Sequence, residues 1–405
     1  MSKIGNAGRQ GPDVRADCHV VLEVRDSGGL DISVQSRVES MYGNSIRALC
    51  REVLDGLGIR HARLEMEDMG ALPFTLMARL ETAAQRVGVS GKFLPDMKPY
   101  CTYGTRRDRF RRSRLYLPGN EPKFLINAGL HKPDAVILDL EDSVAPSEKD
   151  AARALVRNAL RQVNFYGAER MVRINQVPQG LGDLDWIISS NVHVIIIPKV
   201  ENASQVQEVD ERIQSLQKAQ KIASPVYLMP IIESAMGAIR AYEIASASEN
   251  NVALALGLED YTADIGTQRT LDGKESFWMR SVIVNAARAA GIQPIDTVFS
   301  DVADMEGLKA SAKEAKALGF DGKGCIHPRQ IAPIHEALAP DEAEITKAKS
   351  IVRAFEKAES EGLGVVALGN KMIDPPVVKR ALRTVEMATA IGRLSPDWRE
   401  AEPND

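Results

Sequence analysis

Two copies of one pattern, a hydrophobic run that ends in carboxylates, lie between residues 226 and 266. The first copy reads Val226-Tyr-Leu-Met-Pro-Ile-Ile-Glu233, and the second reads Val252-Ala-Leu-Ala-Leu-Gly-Leu-Glu-Asp260. Residues 238–250 have the length and apolar spacing of a helix, so the pattern predicts a strand, a helix and a strand, with an acid at the end of each strand. In a parallel barrel, that end of the strands carries the active site.

The two acids, Glu233 and Asp260, have two interpretations. Carboxylates on adjacent strand ends, with no Cys or His beside them, suit a hard divalent cation such as Mg²⁺, which takes oxygen ligands and keeps waters that a substrate can displace. Either acid alone is better explained as a helix cap, because both precede a helical run. Their repetition inside a longer series of strands and helices favours the metal site.

The same alternation continues on both sides of this stretch. Nearly continuous Val, Ile and Leu runs are typical of strands buried on both faces, and eight such runs separated by helices predict an α/β fold, a (β/α)₈ TIM barrel. A doubly wound open sheet is the alternative, but no G-x-G-x-x-G motif follows the first strand. The predicted strands end within residues 114–119, 135–142, 171–175, 192–199, 226–233, 252–260, 294–299 and 324–328.

Composition excludes several classes of function. The chain has 405 residues, of which 44% are hydrophobic and 26% charged, as expected for a soluble globular protein. A net charge of −4 gives no reason to expect a nucleic acid or a membrane surface as partner. The four cysteines show no C-x-x-C spacing, which argues against a zinc site and a disulfide framework. No signal peptide or membrane-spanning run is found, so a cytoplasmic protein is expected.

Composition and periodicity also predict the division into domains. A small α+β module precedes the barrel, because strand-like and helix-like stretches alternate there over a length typical of small domains. A helical segment that contains Asp374 follows the barrel. The predicted boundaries are a flexible N-terminus at 1–17, the α+β module at 18–87, a Gly- and Pro-rich linker at 88–112, the TIM barrel at 113–335 and the C-terminal helical segment at 336–405.

Six arginines lie within residues 106–114, at the end of the linker. Guanidinium groups at this density could hold the phosphates of a nucleotide-like group. A solvated or inter-domain face is at least as good an explanation, since charge runs usually lie on the surface.

Several motifs in the barrel region occur in a fixed order along the chain. They read Arg111-Arg-Ser-Arg-Leu-Tyr-Leu-Pro-Gly-Asn120, Leu138-Asp-Leu-Glu-Asp-Ser-Val-Ala-Pro-Ser-Glu-Lys149, Ile197-Pro-Lys-Val-Glu201, Ile232-Glu-Ser234 and Gly322-Lys-Gly-Cys-Ile-His-Pro-Arg-Gln-Ile331. In these motifs the chain resembles the citrate lyase beta subunit family, also called the HpcH/HpaI aldolase superfamily, which includes malyl-CoA and citramalyl-CoA lyases. The resemblance covers about residues 112–392.

The resemblance implies a Mg²⁺-dependent carbon–carbon lyase that acts on a coenzyme A thioester. Glu233 and Asp260 would be the metal ligands, and Arg173 would clamp the carboxylate of a 2-oxo acid. Asp374 would be the acid/base residue, supplied by an adjacent subunit, which implies a homo-oligomer such as a trimer or a hexamer. The substrate-binding residues would be Arg173, Glu233, Gly257, Leu258 and Glu259.

From the residues alone, some of these roles have simpler alternatives. Arg173 is equally well explained by a structural ion pair with Glu141 or Asp142. Asp374 precedes two prolines, as at an ordinary turn or helix start. Lys199 and His327 also lie at predicted strand ends: Lys199 could be proposed for a Schiff base, but the resemblance implies a structural role for it, and His327 is expected to be a hydrogen-bonded loop residue rather than a base.

The N-terminal module carries a resemblance of its own. Val38-Glu-Ser-Met-Tyr-Gly-Asn-Ser-Ile-Arg47, Glu67-Asp-Met-Gly-Ala-Leu72 and Ala78-Arg-Leu-Glu81 resemble the acyl carrier (gamma) subunit of bacterial citrate lyase. That family attaches a CoA-derived group to a serine shortly before the first strand. Here the corresponding place reads Arg15-Ala-Asp-Cys18, with no serine between Ser2 and Ser27, which leaves a structural or oligomerising role open.

The leading hypothesis is therefore a Mg²⁺-dependent lyase that cleaves a citryl, malyl or citramalyl thioester into an acyl thioester and a 2-oxo acid. The acyl group would be carried by CoA or by a separate carrier protein. The alternatives are a malate synthase-like condensation coupled to thioester hydrolysis, and a non-catalytic scaffold subunit of a citrate lyase-like complex.

Overall fold

The computed structural model describes residues 3–360, 366–368 and 371–400, and the chain divides into two compact units, Met1–Ile334 and His335–Asp405. The first unit combines a small sheet with a closed barrel, and the second is mainly helical. In the described part of the chain, no helix is long and apolar enough to cross a membrane.

The N-terminal part of the first unit is an α+β sheet. Its elements are β1 (Lys3–Gly8), β2 (Cys18–Val24), β3 (Leu30–Ser36), α1 (Glu39–Gly56), β4 (Ala62–Asp68) and α2 (Pro73–Arg86). The strand order is β1-β2-β4-β3, with β3 parallel to β4 and the other pairs antiparallel. Apart from β1, these elements fall on the strand-like and helix-like stretches of the sequence, although α1 begins at Glu39, ahead of the helix that apolar spacing predicts over 45–57.

β1 departs from the flexible N-terminus predicted for residues 1–17. Residues 3–8 pair with β2 along their whole length, and Ala7 is buried. A methyl group at Gly5 would lie 2.2 Å from the carbonyl oxygen of Ala83, so only a glycine allows the strand this close to α2. Backbone pairing with β2, rather than the burial of side chains, holds β1 in place. The small residues of this strand therefore show no apolar pattern in the sequence.

The helix α2 is buried on all sides. Its residues 74–84 are all inaccessible to solvent, since the N-terminal sheet covers one face and a barrel helix, α4 (Lys149–Gln162), covers the other. Between the two helices, Arg157 Nη2 lies 2.6 Å from Glu81 Oε2, and both side chains are at most 2% exposed. The module is therefore packed onto the barrel as part of one core.

The segment predicted as a linker, residues 88–112, lies against the barrel. Cys101 is fully buried, the backbone N–H of Lys98 donates to Arg161 O at 2.9 Å, and the Tyr103 hydroxyl donates to Ala168 O at 2.6 Å. The backbone carbonyl of Tyr103 also contacts the ring of the buried His193. These contacts fix the segment along its length.

The barrel consists of eight parallel strands, and its last strand pairs with its first. The predicted TIM barrel is thus confirmed. The strands are β5 (Ser113–Pro118), β6 (Ala135–Asp139), β7 (Glu169–Arg173), β8 (Val194–Ile197), β9 (Tyr227–Ile232), β10 (Ala253–Leu256), β11 (Gln293–Asp296) and β12 (Gly322–Cys325). The remaining helices of this unit are α3 (Pro122–Leu125), α5 (Leu181–Ile187), α6 (Ala203–Gln220), α7 (Ala235–Ile239), α8 (Ala241–Ala245), α9 (Leu258–Asp264), α10 (Lys274–Ala289), α11 (Met305–Leu318) and α12 (Ile331–Leu338), the last of which crosses into the second unit.

Alternation along the strands decides which side chains face the barrel axis. Ile137, Met171, Ile196, Ile231 and Ile295 come from five different strands and pack together in the interior. Because successive residues of a strand point to opposite faces, residues two positions further on face the axis again. That rule brings polar side chains to the axis at the C-terminal ends of the strands.

The second unit contains two long helices and a short hairpin. These elements are α13 (Glu342–Ser360), β13 (Val366–Leu368), β14 (Lys371–Ile373) and α14 (Pro375–Ala390). Val352, Val385 and Trp398 belong to its own hydrophobic core. Both helices were predicted, whereas most of the β-rich piece predicted at 362–367 lies outside the described residues.

Candidate active site

A cavity of about 440 Å³ opens at the C-terminal end of the barrel. Two pairs of adjacent strands, β6 with β7 and β9 with β10, bring to it the last residue of the strand or the one that follows. These residues are Asp139, Arg173, Glu233 and Gly257. The predicted acids Glu233 and Asp260 both line the cavity, so the structure brings them to one place.

Glu233 is the more buried of the two acids, with 6% of the residue exposed. The pKa of its carboxyl group is raised to about 7, mainly by burial; Arg173 opposes this shift, and the nearby Asp260 and Glu141 contribute to it. Oε2 of Glu233 accepts a hydrogen bond of 2.9 Å from the backbone N–H of Lys199. A buried carboxylate beside other acids is stabilised by a cation, which is the environment of a metal ligand.

Asp260 lies in the first turn of α9, and 45% of its side chain is exposed. Among the described residues, no group of three or more His, Cys, Asp and Glu side chains is arranged around a common point for a metal. Two carboxylates suffice for Mg²⁺, which keeps several waters and takes its remaining ligands from the substrate. The donor set therefore fits Mg²⁺ better than a metal that needs a full protein cage.

Arg173 is held by two carboxylates of β6 and the segment after it. Its Nε and Nη2 donate to Asp139 at 2.7 and 2.8 Å, and Nη1 lies 2.9 Å from Glu141 Oε2. The prediction considered Glu141 and Asp142 as ion-pair partners and missed Asp139. Asp139 and Arg173 are register partners on adjacent parallel strands, so counting alternate residues along β6 would have found the pair.

This ion pair does not exclude the predicted clamp. A guanidinium group has five N–H donors, and the three contacts use one hydrogen of each nitrogen. One N–H on Nη1 and one on Nη2 remain for a ligand in the cavity that Arg173 lines. The two carboxylates fix the direction of these donors.

Lys199 lies among the acids of the site. Its Nζ is 3.2 Å from Glu141, 3.3 Å from Asp142 and 3.5 Å from Asp260. Although burial alone would lower its pKa, these carboxylates hold the pKa of Lys199 above its ordinary range. A charged ammonium group cannot attack a carbonyl, so the geometry agrees with the structural role expected for Lys199.

The stretch Gly257, Leu258 and Glu259 leads from β10 into α9 along the cavity wall. A methyl group at Gly257 would lie 2.4 Å from Oε1 of Glu233, so the absence of a side chain there makes room for the carboxylate. The side chain of Glu259 accepts hydrogen bonds from Arg269 and Ser300, at 2.7 and 2.9 Å. These contacts of the Glu259 carboxylate are therefore to residues of the chain itself, and its contact with the substrate stays a prediction.

Asp374 belongs to the second unit, where it is exposed and caps α14. Its Oδ1 accepts a hydrogen bond of 3.2 Å from the backbone N–H of Val377. This is the helix-start geometry that the two following prolines indicate, and it leaves the predicted acid/base role as a proposal. His327 likewise caps a short turn, because its Nδ1 accepts from Arg329 N.

Most arginines of the stretch 106–114 form ion pairs or hydrogen bonds within the first unit, so their guanidinium groups are not available to bind phosphates. Arg111 pairs with Glu169, and neither side chain is exposed. Arg112 pairs with Asp134, and Arg109 donates to the carbonyl oxygens of Asp134 and Gly167. Arg114 points into the barrel interior and lines the cavity, which no periodic signal in the sequence indicated.

Two protein-family models match different parts of the chain. The family model for HpcH/HpaI aldolase/citrate lyase matches residues 112–328. A second model, for the malonate decarboxylase delta subunit, matches residues 11–87 and so covers the N-terminal module.

Individual relatives match the barrel and the segment that follows it. The citrate lyase subunit beta of Leuconostoc mesenteroides subsp. cremoris is 41% identical over 70% of this chain and 95% of its own length. The mitochondrial citramalyl-CoA lyase of Rattus norvegicus is 34% identical over 69% of this chain and 87% of its own length.

A solved structure resembles the same region. The protein CitE from Mycobacterium tuberculosis, in complex with magnesium, acetoacetate and coenzyme A, is 31% identical, covers 70% of this chain and 99% of its own, and has a TM-score of 0.55. It contains the two groups predicted here, Mg²⁺ and coenzyme A. The prediction of a lyase family is confirmed: the chain belongs to the HpcH/HpaI aldolase/citrate lyase family.

Proposed function

We propose that the chain is a Mg²⁺-dependent lyase that cleaves a citryl, malyl or citramalyl thioester into an acyl thioester and a 2-oxo acid. One observation carries the proposal: Glu233, Asp260 and Arg173 line a single cavity at the C-terminal face of the barrel. The relatives named as citrate lyase beta subunit and citramalyl-CoA lyase, and the CitE complex with magnesium and coenzyme A, support it.

The residues of the site suit the steps of this cleavage. The substrate hydroxyl loses a proton, the carbon–carbon bond breaks, and its electron pair forms a thioester enolate that takes up a proton at carbon. Glu233 and Asp260 would hold Mg²⁺, which supplies positive charge to the oxygen of the forming 2-oxo group. Arg173 orients the carboxylate of the 2-oxo acid half, and Asp374 transfers the proton.

The thioester reaches this site on CoA or on a separate carrier protein in the proposed reaction. The N-terminal module does not supply its own acyl group, since the serine of carrier proteins is absent and Cys18 is fully buried. Burial, with Asp17 nearby, also raises the pKa of the Cys18 thiol well above its ordinary value, which makes it a poor nucleophile. The module is instead a fixed part of the first unit.

The first experiment combines a metal-binding assay with a substrate panel. Purified full-length protein with Mg²⁺ is given citryl-, malyl- and citramalyl-CoA, and the release of 2-oxo acid is followed for the wild type and for Glu233→Ala, Asp260→Ala and Asp374→Ala. We expect Mg²⁺-dependent release, reduced at least about 100-fold in each variant. Titration calorimetry should show weaker Mg²⁺ binding in Glu233→Ala and Asp260→Ala and unchanged binding in Asp374→Ala.

The matched control is Glu208→Ala, which removes an exposed acid from the surface of α6. It should change neither activity nor Mg²⁺ binding. Release of free CoA together with a hydroxy acid would favour the synthase-like reaction over the lyase. Inactivity on the whole panel with intact Mg²⁺ binding would favour a protein-bound acyl group or a scaffold role.

A mixing experiment tests the proposal that Asp374 acts in a neighbouring subunit. Glu233→Ala and Asp374→Ala are each expected to be inactive, but an oligomer that contains both can combine Glu233 of one subunit with Asp374 of another. Co-expression of the two variants should therefore recover part of the wild-type activity. If every mixed oligomer is as inactive as its parents, Asp374 acts within its own chain or has no catalytic role.

A further inference from the structure

Arg114 lies deep inside the barrel, below the acids of the site. It is 2% exposed and lines the same cavity as Glu233 and Arg173. Tyr116, two residues later on β5, packs against the interior core. Arg114 therefore faces the barrel axis too, one layer further from the mouth. Its side chain therefore places a positive charge at the floor of the cavity.

The guanidinium group of Arg114 lacks the carboxylate partner that the buried Arg79, Arg111 and Arg157 each have. Nε has no hydrogen-bond partner, Nη1 lies 3.0 Å from the sulfur of Met229, and Nη2 donates to the carbonyl oxygen of Asp296 at 3.4 Å. No carboxylate of the described residues forms an ion pair with it. By contrast, Arg111, three residues earlier, binds the fully buried Glu169 with two short hydrogen bonds of 2.7 and 2.8 Å.

The barrel wall beside Arg114 is apolar on the side of β12. Its register partner on β12 is Gly324, which lines the cavity, and the apolar side chain of Val298 lies over this glycine, where an added methyl group would meet its Cγ1 at 2.6 Å. A buried charge without a counter-charge is unfavourable, so an anion at the floor of the cavity would stabilise the guanidinium group of Arg114. A carboxylate is the anion that two N–H groups of a guanidinium fit best.

We propose that Arg114 binds a second carboxylate on the 2-oxo acid half of the substrate and thereby selects a dicarboxylic oxo acid, as released from a citryl-type thioester, over pyruvate or glyoxylate. This inference rests on the lyase function proposed above. The thioester carrier is too large to enter the barrel and leaves through the mouth, so the opposite half of the substrate faces the floor. Arg173 at the rim and Arg114 at the floor then hold one carboxylate each.

Binding of small acids tests Arg114 without any thioester cleavage. Malate and lactate are stable 2-hydroxy acids that differ by one carboxylate, and their affinities are measured by calorimetry on the full-length protein with Mg²⁺. We expect the wild type to bind malate about 100-fold more tightly than lactate. In Arg114→Met, and in Arg114→Gln as a second variant, the ratio should fall below about 3-fold through loss of malate binding alone.

The same variants are then compared on thioesters. The ratio of kcat/KM for citryl-CoA to that for citramalyl-CoA should fall about 100-fold in Arg114→Met. If neither CoA thioester is cleaved, the proposed lyase function fails for CoA-bound substrates, while the malate and lactate affinities still decide the role of Arg114. A wild type without preference for malate, or a preference that survives in both variants, overturns the proposal.

Thermal unfolding without ligand separates this role from a structural one. Removal of an unpaired buried charge should raise the unfolding midpoint in Arg114→Met. Arg111→Met is the matched control, because it leaves the buried Glu169 without its cationic partner and should lower the midpoint. If the midpoint falls in Arg114→Met as it does in Arg111→Met, Arg114 is a structural residue and the proposal is contradicted.

Discussion

At position 257, the lack of a side chain determines where the Glu233 carboxylate lies. The methyl group of Gly257→Ala would lie 2.4 Å from Oε1 and 2.9 Å from Cγ of Glu233, so the carboxylate must move. Because a displacement of about 1 Å in a site can cost about 100-fold in rate, we expect Mg²⁺ affinity and lyase activity to fall at least about 10-fold. Titration calorimetry and 2-oxo acid release measure the two effects.

Gly182→Ala is the control for this substitution. Gly182 is exposed in the first turn of α5, and a methyl group there would have no neighbour within 4 Å. It should change the free energy of unfolding by less than about 1 kcal/mol and leave Mg²⁺ binding unchanged. Normal Mg²⁺ binding in Gly257→Ala would show that the Glu233 carboxylate can bind the metal from another position.

At the residue scale, the sequence predicted the site residues that lie at the C-terminal ends of predicted strands. Glu233 and Asp260 close two hydrophobic runs, so strand direction alone placed them together. Asp139 was missed as the partner of Arg173, although alternation along β6 was enough to find it. Arg114 could not be found, because its unpaired state depends on what the other strands place around it.

At the scale of elements, the contact between α2 and α4 depends on the buried pair of Glu81 and Arg157. Glu81→Ala would leave the guanidinium group of Arg157, which is 2% exposed, without its carboxylate. We expect the free energy of unfolding to fall by about 3–5 kcal/mol, measured by urea denaturation.

An exposed pair in the same module serves as the comparison for Glu81→Ala. Asp55 and Arg60 lie 3.5 Å apart with more than half of each side chain exposed. Asp55→Ala should therefore cost less than about 1 kcal/mol. Equal effects of the two substitutions would mean that the pair of Glu81 and Arg157 is not responsible for the stability of the interface.

The predicted elements differ in how they depend on distant parts of the chain. Barrel strands such as β8 were predicted because burial on both faces produces a continuous apolar run. β1 was missed, since its residues form a strand only by pairing with β2. One helix was predicted between β9 and β10, but the chain forms two, α7 and α8, which meet at Arg240.

At the scale of the whole molecule, the fixed segment 88–112 predicts resistance to proteolysis. Its bonds to the barrel, including those of Lys98 and Tyr103, must open before a protease can cut between residues 92 and 103. Trypsin should cut first near Lys274, whose side chain is 88% exposed. An early cut after Lys92, which is the one trypsin site within 92–103 because Lys98 precedes Pro99, would instead indicate a module that moves; mass spectrometry identifies the cut.

The same segment gives the molecule a predicted acid sensitivity through His193. Burial, aided by Arg170, lowers the pKa of His193 to about 3, so the folded state keeps the ring neutral while the unfolded chain takes up a proton near pH 6.5. At this group the unfolded state then binds more protons, so the contribution of His193 to stability falls as the pH drops below about 6.5, by at most about 1.4 kcal/mol per pH unit, while Glu233, whose pKa is raised to about 7, contributes with the opposite sign.

Urea denaturation between pH 5 and 7.5 measures this dependence. His193→Gln should lose less stability than the wild type as the pH drops below about 6.5, although it is less stable at neutral pH because it alters the bonds to Arg170 and Tyr103. His131→Gln, at an exposed position, should keep the wild-type slope. An unchanged slope in His193→Gln would assign the acid sensitivity to other groups.

The burial of α2 on both sides has a consequence for the history of the chain. A module whose helix is shared with the barrel core is inherited together with it, because either part alone would expose apolar surface and a buried charge. Substitutions at Glu81 and Arg157 are then under joint selection. In homologous chains that join these two parts, positions 81 and 157 should covary, whereas a barrel that occurs without the module is free to replace the arginine.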